Sequence, residues 1–195
     1  MRKACLLCSI FLFLVVVQGC IMMNVHPLYR SADDIVFDPW LVGRWSEKDD
    51  DKEVWEFSAP KEGNTSYLVT ISENNEPREI LEGCLVEIDG HQFMDLMPHD
   101  FEFNKKDAQT LLINDLLLFP THTILQIRRS GDNLLMAFVE YEWITDQVEK
   151  GTFELPHEVE DDRVLITASS EKLREFVRRY AGDEKVFKLD KFHRL

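Results

Sequence analysis

Short alternating apolar runs, each closed by turn residues, constrain this chain more than any other feature. Glu53-Val54-Trp55-Glu56-Phe57 alternates, and so does Tyr67-Leu68-Val69-Thr70-Ile71, which sets Tyr67, Val69 and Ile71 on one face. A period of two sends successive side chains to opposite faces of a strand. Pro60-Lys61-Glu62-Gly63-Asn64 and Glu73-Asn74-Asn75-Glu76-Pro77 supply the turns. Ile80–Ile88 and Gln92–Met97 flank Asp89-Gly90, a pair suited to a type I′ hairpin because both central positions need positive φ. Thr121–Arg129 and Asn133–Trp143 flank Ser130-Gly131-Asp132. The second of these runs puts Leu135, Ala137, Val139, Tyr141 and Trp143 on one face. Arg163–Thr167 reads as a further short strand. The spacing predicts a mainly β chain of about seven or eight strands, built as an antiparallel barrel or sandwich.

Two helices are expected among these strands. Thr145–Lys150 reads as a short one. In the other, Leu173, Phe176, Val177 and Tyr180 fall at i, i+3, i+4 and i+7, with Arg174, Glu175, Arg178 and Arg179 opposite. Ser169 or Ser170 is placed to cap it, and Gly182 to close it in the left-handed conformation. One face of this amphipathic helix must be covered, and the barrel wall is its natural partner. Leu111–Phe119 fits either a strand or a helix.

The first twenty residues have a different character. Arg2 and Lys3 precede Leu6–Val17, which is apolar apart from Ser9. Twelve residues make a helix of about 18 Å, well short of a hydrocarbon core of about 30 Å. A basic start, a short apolar middle and a small residue before a break read as a secretory signal. The break, Val17-Gln18-Gly19-Cys20, resembles the bacterial lipobox. That resemblance implies cleavage after Gly19 and lipidation (palmitate among the acyl groups) of Cys20. An ordinary cleaved signal and an uncleaved short anchor are the alternatives. The implied organisation is a signal peptide over 1–19, a lipidated tether over 20–34 and a β-barrel domain with its C-terminal helix over 35–195. Ile21 after the cysteine is not acidic, which in enterobacteria would imply sorting to the outer membrane, facing the periplasm. Several acyl chains make a durable anchor where one holds only marginally.

Composition narrows the partners. The chain has 195 residues with 36 acidic and 22 basic side chains, a formal net charge of −14. No surplus of Lys and Arg exists to replace phosphate counterions, so nucleic acid is excluded as a partner. Attraction to anionic lipid by charge alone is excluded on the same ground. Cys5 and Cys8 fall in the signal, and lipid would block Cys20. Cys84 then stands alone in an apolar run and reads as a small buried hydrophobe, with no disulfide available.

Motifs for chemistry are sparse. The six histidines, His26, His91, His99, His122, His157 and His193, include no pair at metal-ligand spacing. His99-Asp100-x-Glu102 suits a cation or a solvated loop, and Lys48-Asp49-Asp50-Asp51 and Glu158–Asp162 read as charged tips. No Gly-x-Ser-x-Gly and no phosphate-binding glycine loop occurs. No catalytic residue, metal or cofactor is therefore assigned, and the protein is not expected to be an enzyme. One strand carries a polar set: His122, Gln126 and Arg128 share a face with Ile124, opposite Thr123, Leu125 and Ile127. Facing inward, the set would line a pocket suited to a carboxylate headgroup. Facing outward, it would be the wet side of the strand.

Residues Phe37-Asp38-Pro39-Trp40-Leu41-Val42-Gly43-Arg44-Trp45 resemble the first signature of the lipocalins, in which a short turn enters the first strand through Gly-x-Trp. In that family Gly43 would allow close backbone approach at the barrel's closed end and Trp45 would plug it. The family's tryptophan-stacking arginine precedes its final helix, and no residue here matches it by position, since Arg163 lies early in its strand. The resemblance implies a lipocalin-like barrel holding a small hydrophobic or amphipathic ligand. The alternative is an envelope interaction protein with a filled barrel, a protein partner of unknown kind and no ligand.

Overall fold

The computed structural model describes residues 21–47, 50–60, 65–99, 120–160 and 163–195. Cys20 with its lipobox, Leu111–Phe119, and the residues Asp100 and Glu102 lie outside the described residues. The elements in chain order are β1 (Met23–Asn24), β2 (Gly43–Glu47), β3 (Asp50–Ser58), β4 (Tyr67–Glu73), β5 (Glu76–Ile88), β6 (His91–Pro98), β7 (Thr123–Ser130) and β8 (Asn133–Phe138). There follow α1 (Tyr141–Glu149), β9 (His157–Glu160), β10 (Arg163–Ile166), α2 (Ser170–Tyr180) and β11 (Asp190–Arg194).

Eight strands close into an antiparallel barrel in the order β11-β2-β3-β4-β5-β6-β7-β8. Strands β2 to β8 follow one another as neighbours, so the wall is a meander until β11 returns to seal it. Sealing pairs Arg194 with Trp45 on one side of β11 and Phe192 with Leu134 on the other. The turn chemistry is visible in the backbone. Asn74 and Asn75 sit at φ 52° and 66°, and Asp89 and Gly90 at 51° and 79°. Two successive positive φ values are the type I′ signature, whose twist matches that of the strands it joins.

The core has two compartments. Inside the barrel lie Trp45, Phe57, Tyr67, Val69, Leu85, Met94, Leu125 and Leu134. On the outer side of β5 to β8, Val86, Phe93, Ile124 and Ala137 pack under Leu173, Phe176 and Val177 of α2, with Ile144 of α1 and Ile166 of β10. Residues adjacent in sequence thus serve opposite compartments, as Leu85 and Val86, Phe93 and Met94, and Ile124 and Leu125 do. These apolar doublets are what a wall buried on both faces requires.

Three elements differ from the sequence reading. Strand β8 ends at Phe138, and Tyr141 and Trp143 begin α1 instead of extending the strand. Alternation and helical spacing overlap here, because Ile144 and Val148 also fall at helical intervals from Tyr141. Trp143 then packs across α2, 6.0 Å from Phe176 and 5.2 Å from Tyr180 between ring centroids. Strand β10 lies outside the barrel, in a three-stranded sheet ordered β1-β10-β9. Gly182 is not at positive φ; the turn after α2 is held by Asp183 N–H donating to the Tyr180 carbonyl, so no left-handed cap is needed. Ser169 takes the extended N-cap backbone without a side-chain cap bond, while the Ser170 hydroxyl donates to the Pro27 carbonyl.

That last bond is one of several that strap residues 21–36 onto the outside of the wall. Met23 and Asn24 pair in parallel with Leu165 and Ile166. Met22 and Leu28 are buried. Arg30 grips Asp34 through Nε and Nη2, each at 3.0 Å, and Val36 N–H donates to the Leu85 carbonyl.

Candidate functional site

The two ends of the barrel are built differently, and the sequence explains why. At one end Trp45 is fully buried and its Nε1–H donates to the Leu41 carbonyl at 2.9 Å. Trp40 lies against it, with centroids 4.9 Å apart. The Arg194 guanidinium stands 4.2 Å over the Trp45 ring and donates to the carbonyls of Val42 and Trp40. Arg129 covers the Trp40 ring at 4.5 Å. Such cation–π contacts pair a cation with the negative face of the indole. Gly43 holds φ 142°, and a Cβ there would lie 2.3 Å from Arg194 Nη1. Only glycine satisfies both the backbone and the approach. The hydroxyl of Tyr67 completes this end: it accepts from Asp38 N–H at 2.7 Å and donates to the Asp38 carbonyl. Burial pushes Tyr67 up to about 12. Gly43 and Trp45 thus belong to a plugged end, and the arginine stacked on the plug comes from the last strand, where sequence position gave no reason to look.

Among the described residues, the opposite end is open. A cavity of about 710 Å³ enters the barrel there, within the range of about 300–1,000 Å³ that suits small-molecule sites. Trp55, Ile71, Leu81, Leu96 and Phe138 form its apolar wall. Charge is confined to the rim, with Glu53, Glu73 and Glu79 against Arg78 and Arg163. Arg78 is engaged by Glu73 at 2.5 Å, and Glu53 accepts from the Trp55 indole N–H at 2.8 Å. Ile21 and Met23 of the strap also reach the rim.

Of the polar set on β7 and its approach, only His122 lines this cavity. The shared face points out of the barrel, because Leu125 and Ile127 occupy the interior. It is covered in part by the helical layer. Gln126 is buried beneath it, donating through Nε2 to the Ala181 carbonyl at 2.8 Å. Arg128 is exposed and lines a separate groove of about 460 Å³ beside Gly182 and Lys188. The three side chains therefore do not meet.

His122 instead meets a residue that the sequence reading passed over. Its Nδ1 lies 2.6 Å from Asp95 Oδ1, and the second oxygen of Asp95 accepts Leu28 N–H at 2.6 Å. Asp95 is 1% exposed. A lone acid inside Phe93-Met94-Asp95-Leu96 was the available signal, since a carboxylate is almost never fully buried unless paired. The backbone of His122 is fixed as well, by reciprocal bonds with Asn24 at 2.8 and 2.9 Å. Nearby, Tyr29 and Cys84 are both pushed up to about 12, chiefly by burial. Cys84 is thus a protonated thiol at neutral pH, and only a thiolate would be nucleophilic.

Among the described residues there is no cluster of three or more metal-ligating side chains, and no helix is long and apolar enough to cross a membrane. No protein family, curated protein or solved structure matches the chain.

Proposed function

We propose that this protein is a binding or carrier module for a small amphipathic ligand, held in the open end of its barrel and anchored to a bacterial membrane through Cys20. The observation that carries the binding reading is the cavity: an apolar wall, a charged rim and a plugged far end together make a cup for an elongated apolar molecule. A barrel serving only as an interaction surface would have no use for a cavity of this size, which the described residues leave unfilled. Ile21 lines the rim, so a lipid on the preceding residue would keep the mouth close to the bilayer, here the outer membrane on its periplasmic side. That proximity suits a module exchanging apolar cargo with lipid.

An environment-sensitive probe such as N-phenyl-1-naphthylamine tests the cup. Saturable binding of one probe per protein is expected. Leu81→Trp, which places a large ring in the cavity, should weaken it at least about tenfold, the equivalent of about 1.4 kcal/mol. Unsaturable binding, or full affinity in a correctly folded Leu81→Trp, would overturn the reading. The anchor is tested separately in cells. Labelled palmitate is expected to enter the protein and to be lost in Cys20→Ala; labelling unaffected by that change would remove the anchor and leave the cup standing.

A further inference from the structure

We infer that the cup measures the tail of its ligand: the cavity ends at a floor of buried side chains, and the Met94 thioether, laid over Gly83, is the stop that an acyl or alkyl tail meets. This rests on the binding reading above and adds the residue that sets tail length. The floor follows from strand parity. Two residues beyond a lining residue, the next side chain points into the same interior, about 7 Å farther along the strand. Trp55 lines the cavity, and Phe57 lies one such step deeper on β3. The same step leads from Ile71 to Val69 on β4 and from Leu96 to Met94 on β6. Phe57, Val69 and Met94 are fully buried and, among the described residues, form no part of the cavity lining.

Strand β5 is the exception. Leu81 lines the cavity, and the next inward position is Gly83, which has no side chain to put into the floor. Met94 fills that space. A Cβ on Gly83 would lie 2.7 Å from Met94 Sδ and 3.1 Å from Val69 Cγ2, so the thioether rests on the glycine itself. Gly83 pairs across the strands with Leu96, and Leu96 and Leu81 both line the cavity. The end of Met94 therefore lies beside the cavity wall. Its unbranched thioether adapts where a β-branched Val69 cannot.

The distribution of charge sets the direction of entry. The glutamates and arginines that line the cavity stand at its rim, so a ligand holds its polar head there and sends its tail toward Met94. Each methylene that reaches the apolar wall strengthens binding about fourfold. Once the tail touches the thioether, a further methylene finds no apolar surface to cover and adds nothing.

Displacement of bound N-phenyl-1-naphthylamine by saturated 1-monoacylglycerols of increasing tail length, each kept monomeric, locates the stop. The uncharged head keeps the rim charges out of the comparison. In the wild type, affinity is expected to climb about fourfold per methylene and then to level off. Met94→Ala, checked for folding by circular dichroism, clears the space over Gly83 and should carry the climb on for about two or three further methylenes. Tails too short to reach the floor should bind it as they bind the wild type, whereas a purely structural role for Met94 would weaken every tail alike. Gly83→Ala acts in the opposite direction. Leu85 and Leu125 flank Met94 on the paired strands and are buried, so a thioether displaced by the new methyl moves toward the cup, and the climb should end about one methylene earlier. Should Met94→Ala fail to fold, Met94→Val keeps more of the packing and should extend the climb by about one methylene. A wild-type climb that never levels off, or one that ends at the same tail length in the wild type and the folded Met94 variant, would overturn the stop while the binding reading survives. Failure of the probe itself to bind would bring down both.

Discussion

Trp45→Ala is expected to cost the fold about 3–5 kcal/mol, the range for deleting a large buried aromatic. Against a total stability of about 5–15 kcal/mol, that is enough to leave part of the protein unfolded at moderate temperature. Several losses coincide. The ring is fully buried at the plugged end, so its removal opens a hole that the rigid wall closes only in part. Its N–H no longer satisfies the Leu41 carbonyl. Arg194 loses the aromatic face beneath its guanidinium while keeping its bonds to Val42 and Trp40. Arg194 also sits on β11, the strand that seals the barrel, so loosening the plug loosens the closure. Urea unfolding followed by far-ultraviolet circular dichroism measures the change. Trp45→Phe should cost less, since a ring stays under Arg194 and only the indole bond is lost. A Trp45→Ala midpoint equal to that of the wild type would mean that the plug contributes packing of no consequence.

The strand series, its turns and the α2 helix were legible because each rests on local chemistry. Asn74-Asn75 and Asp89-Gly90 tolerate positive φ wherever they occur, and Leu173, Phe176 and Val177 mark a buried helix face in any context. Gly43 and Trp45 were legible for a similar reason: a glycine two residues before a tryptophan is a local pattern. What stayed hidden depends on residues far apart in sequence. Strand β11 is five residues long, Asp-Lys-Phe-His-Arg, with Phe192 its one large apolar side chain. Nothing in that stretch announces a barrel wall; it becomes one because β2 and β8 each offer an unpaired edge. The separate sheet that takes β10 depends likewise on β1 arriving from the other end of the chain. At the site, parity grouped His122, Gln126 and Arg128 on one face, and that grouping holds along the strand. Parity cannot say that the face lies under a helix at its middle, at a groove at one end and at the cavity rim at the other. The partner that gives His122 its orientation sits 27 residues earlier.

Asp95→Ala is expected to cost about 3–5 kcal/mol, as for a buried polar pair broken by removing one member. Two donors lose their acceptor at once, Leu28 N–H and His122 Nδ1–H, and each buried donor left unmade costs about 1–3 kcal/mol. The strap over the wall is pinned by the first of these bonds, so its local opening should speed as well, seen as faster amide exchange at Leu28. Asp95→Asn separates this structural role from the orienting one. Its side-chain carbonyl can still accept Leu28 N–H, and its amide can donate to His122 Nδ1. The loss should then fall to about 1–2 kcal/mol, a charge-assisted bond replaced by a neutral one. The ring would respond by moving its proton to Nε2, because Nδ1 has become the acceptor. Nitrogen chemical shifts of the His122 ring report that exchange directly. An Asp95→Asn protein that folds and keeps its proton on Nδ1 would show that the carboxylate does not set the ring's orientation.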